Sequence, residues 1–333
     1  MDQPPLKKPK ITESAEFAEK LATAMSFVDK DDNFCGIVKI SSKYGHPIVC
    51  FSQKEIIYKI SLNTKIPLVA FDQEKNIVIY DFLNNIPLKT FLMKEYIYAI
   101  KFSPDGKYLA FAGQEAVLYL YDIQSDVLRT FRGHTYCITS VIWDFDSKYV
   151  ISACEEGIIN TYSIANLSLE STKVQDSGID SMSISNNNIL VSCDDGGNIF
   201  IYDISNGLTY KIKTTIRINL VAIHSDGTKL AIVDCKNNVS IYNLSRTCLE
   251  LFDLEYICTL TPSYKNVSIV SIIWDGDLLL TNDGNNHLVH IDYSTAIESE
   301  IALFRNENHV SKYLSNPADT NPAKCMIISF SCN

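Results

Sequence analysis

A tyrosine followed by a small polar or acidic residue recurs down this chain, in Tyr80-Asp81, Tyr121-Asp122, Tyr162-Ser163, Tyr202-Asp203 and Tyr242-Asn243. Successive tyrosines lie 41, 41, 40 and 40 residues apart, and a last member, Ile291-Asp292, follows after 49. A fixed period of about 40–45 residues made of short strands predicts an array of propeller blades, because one such unit cannot bury both of its faces alone.

Each unit reads the same way. Tyr96-Ile97-Tyr98-Ala99-Ile100-Lys101-Phe102 alternates and stops at Ser103-Pro104-Asp105-Gly106, a strand and its turn. Tyr108–Phe111, the turn at Gly113-Gln114-Glu115, and Val117–Tyr121 follow, with Val127–Phe131 as the outer strand. The turn after the first strand keeps its own register, at Asp105, Asp146, Asn187, Asp226 and Asp275. Two features on one period constrain the fold more than either alone. Val, Ile, Tyr and Phe dominate, Asn and Gly interrupt every ten residues or so, and no apolar 3.6-residue pattern runs long enough for a helical fold.

These residues resemble the WD40-repeat family across roughly 36–304, most closely over Tyr96–Tyr202. The resemblance implies an all-β, WD40-type β-propeller. Gly133-His134 supplies the family's Gly-His dipeptide at the expected distance from Tyr162. By resemblance, a buried hydrogen-bond set maps onto His134, Ser152, Glu156 and Tyr162, whose pairing would fix how neighbouring blades are oriented. Tyr or Ile stands where the family has Trp, Glu115 and Glu156 replace the usual Asp, and most units lack Gly-His.

Six strand-end positions are clear, and a seventh, irregular blade is expected near the start of the chain. Ile56–Lys59 is one trace of it, only 22 residues before Tyr80, and Ile66–Phe71 is either part of a degenerate blade or an outer strand. Closing a propeller joins terminal strands in one sheet, and Cys325–Phe330 is the strand-like tail suited to that.

A net charge of −10 with only five Arg argues against nucleic-acid binding as the main activity, since phosphate neutralisation needs clustered cations. The ten Cys are scattered through strand patterns with no Cys-x-x-Cys, which points to reduced thiols and away from a zinc site. No stretch is long and apolar enough to read as a signal peptide or a membrane span.

Residues 1–30 differ in kind and are expected to form a disordered basic arm and a short helix, with the propeller over 31–333. Lys7, Lys8 and Lys10 resemble a short nuclear import signal; the bland alternative is a solvated charge run. Ser14 would cap the helix, on which Phe17, Leu21 and Met25 share a face.

Motifs for nucleophilic, phosphate-binding and zinc chemistry are absent, so no catalytic residue, cofactor or metal is expected. His287 and His290 would face opposite sides of a strand. The surface hint lies in the turns between second and third strands: Asp72, Glu74, Glu115, Glu155, Glu156, Asp194, Asp195, Asp234 and Asp283, opposed by Lys75 and Lys236. By resemblance these turns open on one face, where an acidic rim would steer partners with basic segments; polar turns also favour Asp and Glu for local reasons. The expected function is a non-catalytic scaffold joining protein subunits in a nuclear complex, of the kind that processes RNA, builds ribosomes or organises chromatin. A cytoplasmic cytoskeletal or ciliary adaptor is the alternative.

Overall fold

The computed structural model describes residues 20–28, 34–42, 47–53, 57–246, 252–260, 269, 271–275, 277–282, 288–292, 297–301 and 326–327. These residues form seven four-stranded antiparallel sheets and no helix. The first sheet holds β1 (Lys20–Val28), β2 (Phe34–Ser42) and β3 (Pro47–Gln53). The second holds β4 (Ile60–Leu62), β5 (Leu68–Gln73), β6 (Asn76–Asp81) and β7 (Ile86–Leu92). The third holds β8 (Ile97–Phe102), β9 (Tyr108–Gly113), β10 (Leu118–Asp122) and β11 (Val127–Phe131). The fourth is β12 (Ile138–Trp143), β13 (Tyr149–Cys154), β14 (Ile158–Ser163) and β15 (Ser168–Val174). β16 (Ile179–Ile184), β17 (Ile189–Asp194), β18 (Asn198–Asp203) and β19 (Thr209–Lys213) make the fifth. The sixth is β20 (Ile218–Ile223), β21 (Lys229–Asp234), β22 (Val239–Arg246) and β23 (Phe252–Leu260), and the seventh β24 (Ser271–Asp275), β25 (Leu278–Asn282), β26 (Leu288–Asp292) and β27 (Ile297–Ile301).

From the second sheet onward the first strand of each sheet packs beside the first strand of the next. β1 packs on β4 as β9 packs on β12, so β1 holds a second-strand position. The strand missing beside it comes from the other end of the chain: β28 (Met326–Ile327) pairs with β1 at Met25 and Ser26. The tail expected to join the termini does so, and covers an edge that would otherwise stay open.

The core lies between sheets. In β9, Leu109 and Phe111 join a cluster with Leu68 and Ile79 of the second sheet, whereas Ala110 and Ala112 pack with Val141, Trp143 and Val150 of the fourth. Successive side chains point to opposite faces, so a strand with neighbours on both sides must be apolar throughout. Similar clusters fill the gaps from the fourth to the seventh sheet.

The recurring Tyr-Asp pair has a mechanical reading. It closes the third strand, and in the second and third sheets the tyrosine hydroxyl bonds the following turn: Tyr80 donates to Asn85 Oδ1 at 2.9 Å and Tyr121 to Asp126 Oδ1 at 2.8 Å. The next residue caps that turn, Asp81 Oδ1 accepting from the amides of Leu83 and Asn84, both at 3.0 Å. The turns on the period of Asp105 work alike: Asp105 Oδ1 accepts from Ser103 Oγ at 2.7 Å, and Asn187 Nδ2 reaches Asp226 O of the next sheet at 3.1 Å.

Two expectations need correction. Residues 20–28 are strand β1, paired over nine residues with β2, and not part of a helix, so the first sheet takes in residues before 31. The stripe of Leu21 and Met25 sits equally on a period of two, and backbone pairing with β2 decides between the readings. Ile66–Phe71 belongs neither to an outer strand nor to the irregular blade: Leu68–Gln73 is the second strand of the second sheet.

Candidate functional site

The turn between the second and third strands of a sheet meets the connection that enters the first strand of that same sheet, so both lie on one face. Gln114 N–H donates to Tyr96 O at 3.0 Å, Glu155 N–H to Cys137 O at 3.2 Å, Asp195 N–H to Gly178 O at 3.0 Å and Cys235 N–H to Arg217 O at 3.0 Å. The same joint is thus rebuilt from the third sheet to the sixth. A left-handed residue recurs in these turns, at Glu74, Ala116, Gly157, Gly197 and Asn237. At Gly157 a Cβ would also lie 2.5 Å from Ser177 O, so glycine is required there on two counts.

The structure divides the expected rim. Glu74, Glu155, Glu156 and Asp195 are exposed, and Glu115 is half-buried and accepts from the Tyr119 hydroxyl. Asp194 is different: it is fully buried, and its carboxylate accepts from the Asn198 amide N–H at 2.8 Å and from Asn198 Nδ2 at 2.8 Å. It is a turn brace and not a docking group. Asp72 is buried as well, its Oδ1 accepting from the amides of Tyr58 at 2.7 Å and Lys59 at 2.6 Å. Burial pushes its carboxyl up to about 7, against the pull of those bonds and of Lys59. Asp283 lies outside the described residues.

Part of the negative charge is neutralised within the face. Arg217 donates to Asp180 Oδ2 at 2.9 Å and pairs with Asp195 Oδ1 at 2.6 Å. Lys75 bonds Glu95 at 3.2 Å with its ammonium 5.1 Å from the Tyr96 ring centre. Among the described residues no Lys or Arg pairs with Glu155 or Glu156. Thr135 donates to Glu156 Oε2 at 3.3 Å, and Tyr136, about half exposed, also bonds it. The fourth sheet therefore presents exposed Tyr136 beside the unneutralised carboxylate of Glu156, whereas exposed Tyr96 lies against Lys75.

Beneath this face, the buried set assembles in part. His134 Nε2 lies 2.7 Å from Ser152 Oγ, and both side chains are buried. Tyr162 is buried beside them, its hydroxyl accepting from Asn160 Nδ2 at 3.2 Å. Glu156 is not in the set; it points to solvent, and His134 Nδ1 has no hydrogen-bond partner among the described residues. Burial holds the imidazole down at about 4, with the Ser152 bond offsetting little of that, so it is neutral at pH 7.

Sequence reasoning missed the copy of this pair one unit later. Gln175 Nε2 donates to Ser192 Oγ, both buried, 41 residues after His134 and 40 after Ser152. The period was the available signal; the change from His to Gln concealed it. Asn160, fully buried and holding Thr172 Oγ1 at 2.8 Å as well as Tyr162, was missed because Asn reads as a turn residue.

Cys154 and Cys193 are buried free thiols, and burial pushes Cys193 up; Cys235 is exposed. Among the described residues no group of three or more His, Cys, Asp or Glu is placed to hold a metal, and no helix is long and apolar enough to cross a membrane. His287 lies outside the described residues.

The family model described as "WD domain, G-beta repeat" matches residues 86–122 and 125–163. The chain carries WD40 repeats. Each matched stretch runs from the outer strand of one sheet through the third strand of the next, so the repeat itself links neighbouring sheets. Over 149 residues, 43% of this chain, it is 28% identical to the "Target of rapamycin complex subunit wat1" of Schizosaccharomyces pombe, across 47% of that protein. Over 63 residues, 17% of this chain, it is 33% identical to the human "Echinoderm microtubule-associated protein-like 3", across 7% of that protein. The matches thus span less than half the length of either relative. WD40 repeats point to a scaffold for protein–protein interaction.

Proposed function

We propose that this WD40 propeller is a non-catalytic scaffold that holds protein subunits together in a nuclear multiprotein complex, docking basic segments on its loop face. The observation that carries the docking is exposed Tyr136 bonded to Glu156, with Glu155 next to it in the same turn, neither carboxylate being neutralised by a cation of the described residues. Aromatic faces and carboxylates together suit Lys and Arg side chains. The turns that display them are braced by repeated backbone bonds, so little ordering opposes binding. Membership of a complex is supported by the relative named as a subunit of a target of rapamycin complex. The nuclear location rests on Lys7, Lys8 and Lys10, which lie outside the described residues.

Purification of the tagged chain at physiological salt, followed by mass spectrometry, tests the scaffold reading: stoichiometric partners are expected, and a chain that migrates alone would overturn it. For the face, Glu155, Glu156 and Asp195 are changed together to Lys. Slower association with the recovered partner and a flatter salt dependence are expected, since rim charges are screened within about 10 Å at 0.1 M salt. Unchanged binding would remove the loop face. Replacing Lys7, Lys8 and Lys10 by Ala in a fluorescent fusion should shift it to the cytoplasm; cytoplasmic signal in both forms would favour a cytoplasmic adaptor.

A further inference from the structure

A second surface lies between neighbouring sheets and opens beside the loop face at Glu115 and Lys94. Between the outer strand β7 and the third sheet runs an open groove of about 580 Å³, inside the about 300–1,000 Å³ range of sites that take a compact ligand. Phe91 and Val117 make its buried floor, and Leu92, Met93 and Leu128 line it. Leu92 is 82% exposed and Leu128 40%. A leucine so fully in water at the end of a strand contributes nothing to the core beneath it. β7 is also the last strand of its sheet, with no neighbour on its outer side among the described strands, so its edge can accept an extended chain.

The charges of the groove choose the occupant. Lys94 and Arg132 stand at its lip, both exposed. Their cationic neighbours are already engaged: Lys75 with Glu95 at 3.2 Å, Lys89 with Asp126 at 2.7 Å and Arg129 with Asp122 at 3.9 Å. Among the described residues no ion pair holds Lys94 or Arg132. The carboxylate inside the groove, Glu115, is taken up by the Tyr119 hydroxyl. Two unpaired cations beside exposed leucines are unusual on a chain of net charge −10, and they complement a ligand of opposite character to the one that suits the loop face.

We infer that this groove binds a short extended protein segment in which an apolar anchor sits next to an acidic residue, the anchor against Leu92 and Leu128 and the carboxylate on Lys94 and Arg132. The two surfaces would let one propeller hold a basic and an acidic segment at once.

The probe is a phage-displayed library of random 12-residue peptides, selected on the full chain and again on a Lys94→Glu/Arg132→Glu variant. Sequences with Asp or Glu beside Leu, Ile or Phe should be enriched on the wild type and lost on the variant. The leading peptide, synthesised with a fluorophore, should bind at least ten-fold more weakly to the double variant and to Leu92→Ser, while Glu155→Lys changes little. Its charge-reversed form should recover on the double variant. Circular dichroism melts verify that the variants are folded; Leu92 is exposed enough for that outcome. No enrichment, enrichment of basic peptides, or affinities indifferent to these changes would overturn the inference. So would sedimentation showing a dimer of the wild type that Leu92→Ser splits, which would place a second copy in the groove. Because the loop-face variant is tested with the same peptide, failure here leaves the proposal for that face standing.

Discussion

Replacing His134 by Gln separates the hydrogen bond of this residue from its titration. The neighbouring repeat already shows that Gln can hold the bond, since Gln175 reaches Ser192 in the corresponding place. In the unfolded chain the imidazole takes a proton near its ordinary 6.5, whereas burial keeps the folded one neutral down to about 4. Between those values the unfolded state binds a proton that the folded state refuses. The contribution of His134 is therefore complete above pH 6.5 and is lost as the pH falls towards 4. At one pKa unit per 1.36 kcal/mol, the loss is about 2–3 kcal/mol by pH 4.5 and only a few tenths at pH 6.5. The Gln variant should match the wild type within about 1 kcal/mol at pH 7. At pH 4.5 it should be the more stable by about 2–3 kcal/mol. Urea unfolding followed by tryptophan fluorescence at pH 7, 5.5 and 4.5 measures this, and comparison of the two proteins cancels every other titrating group, Asp72 included. A stability difference that stays constant across the three pH values would refute the reasoning, because it would mean that His134 titrates alike in both states.

Asp194→Ala should destabilise by about 2–3 kcal/mol, as it strips a buried, charge-assisted brace from Asn198, while Asp195→Ala stays within about 0.5 kcal/mol; paired urea titrations decide, and equal effects would place both on the surface. Gly157→Ala should cost about 2 kcal/mol or more, from strain at a left-handed position and the clash with Ser177 O, read as a drop in Tm that Ala116→Gly does not reproduce. Asp72→Asn keeps an acceptor for Tyr58 and Lys59 yet cannot ionise. Since burial raises the Asp72 carboxyl to about 7, its folded form is favoured at low pH and loses ground as the pH rises from 4 through 7. The variant should therefore gain on the wild type between pH 5 and pH 8 in urea titrations, and a gap that stays flat would count against the raised value.

How far the chain could be read without coordinates follows from what its signals depend on. The Tyr-Asp period was legible because each unit must solve the same local problem, closing a third strand and capping its turn, and Asp81 and Asp122 do so with bonds to residues two and three further on. Alternation was legible for the same reason, since strand geometry alone assigns Leu109 and Ala110 to opposite faces. The fate of an isolated acid was not. Asp194 and Asp195 are adjacent in sequence and alike in chemistry, and only the packing of the turn buries one and exposes the other. Glu156 shows the same limit: its place in the repeat suits a buried partner for His134, yet it extends to Thr135 and Tyr136 instead. The N-terminal residues 20–28 carry a pattern that fits a helix or a strand, and the tie is broken by β2 and by β28, which lies some 300 residues away in the chain. Local hydrogen bonding and side-chain alternation repeat with the sequence and can be read from it. Burial, pairing between distant segments and the isolation of a charge depend on what the fold brings alongside, and those were decided by the tertiary structure.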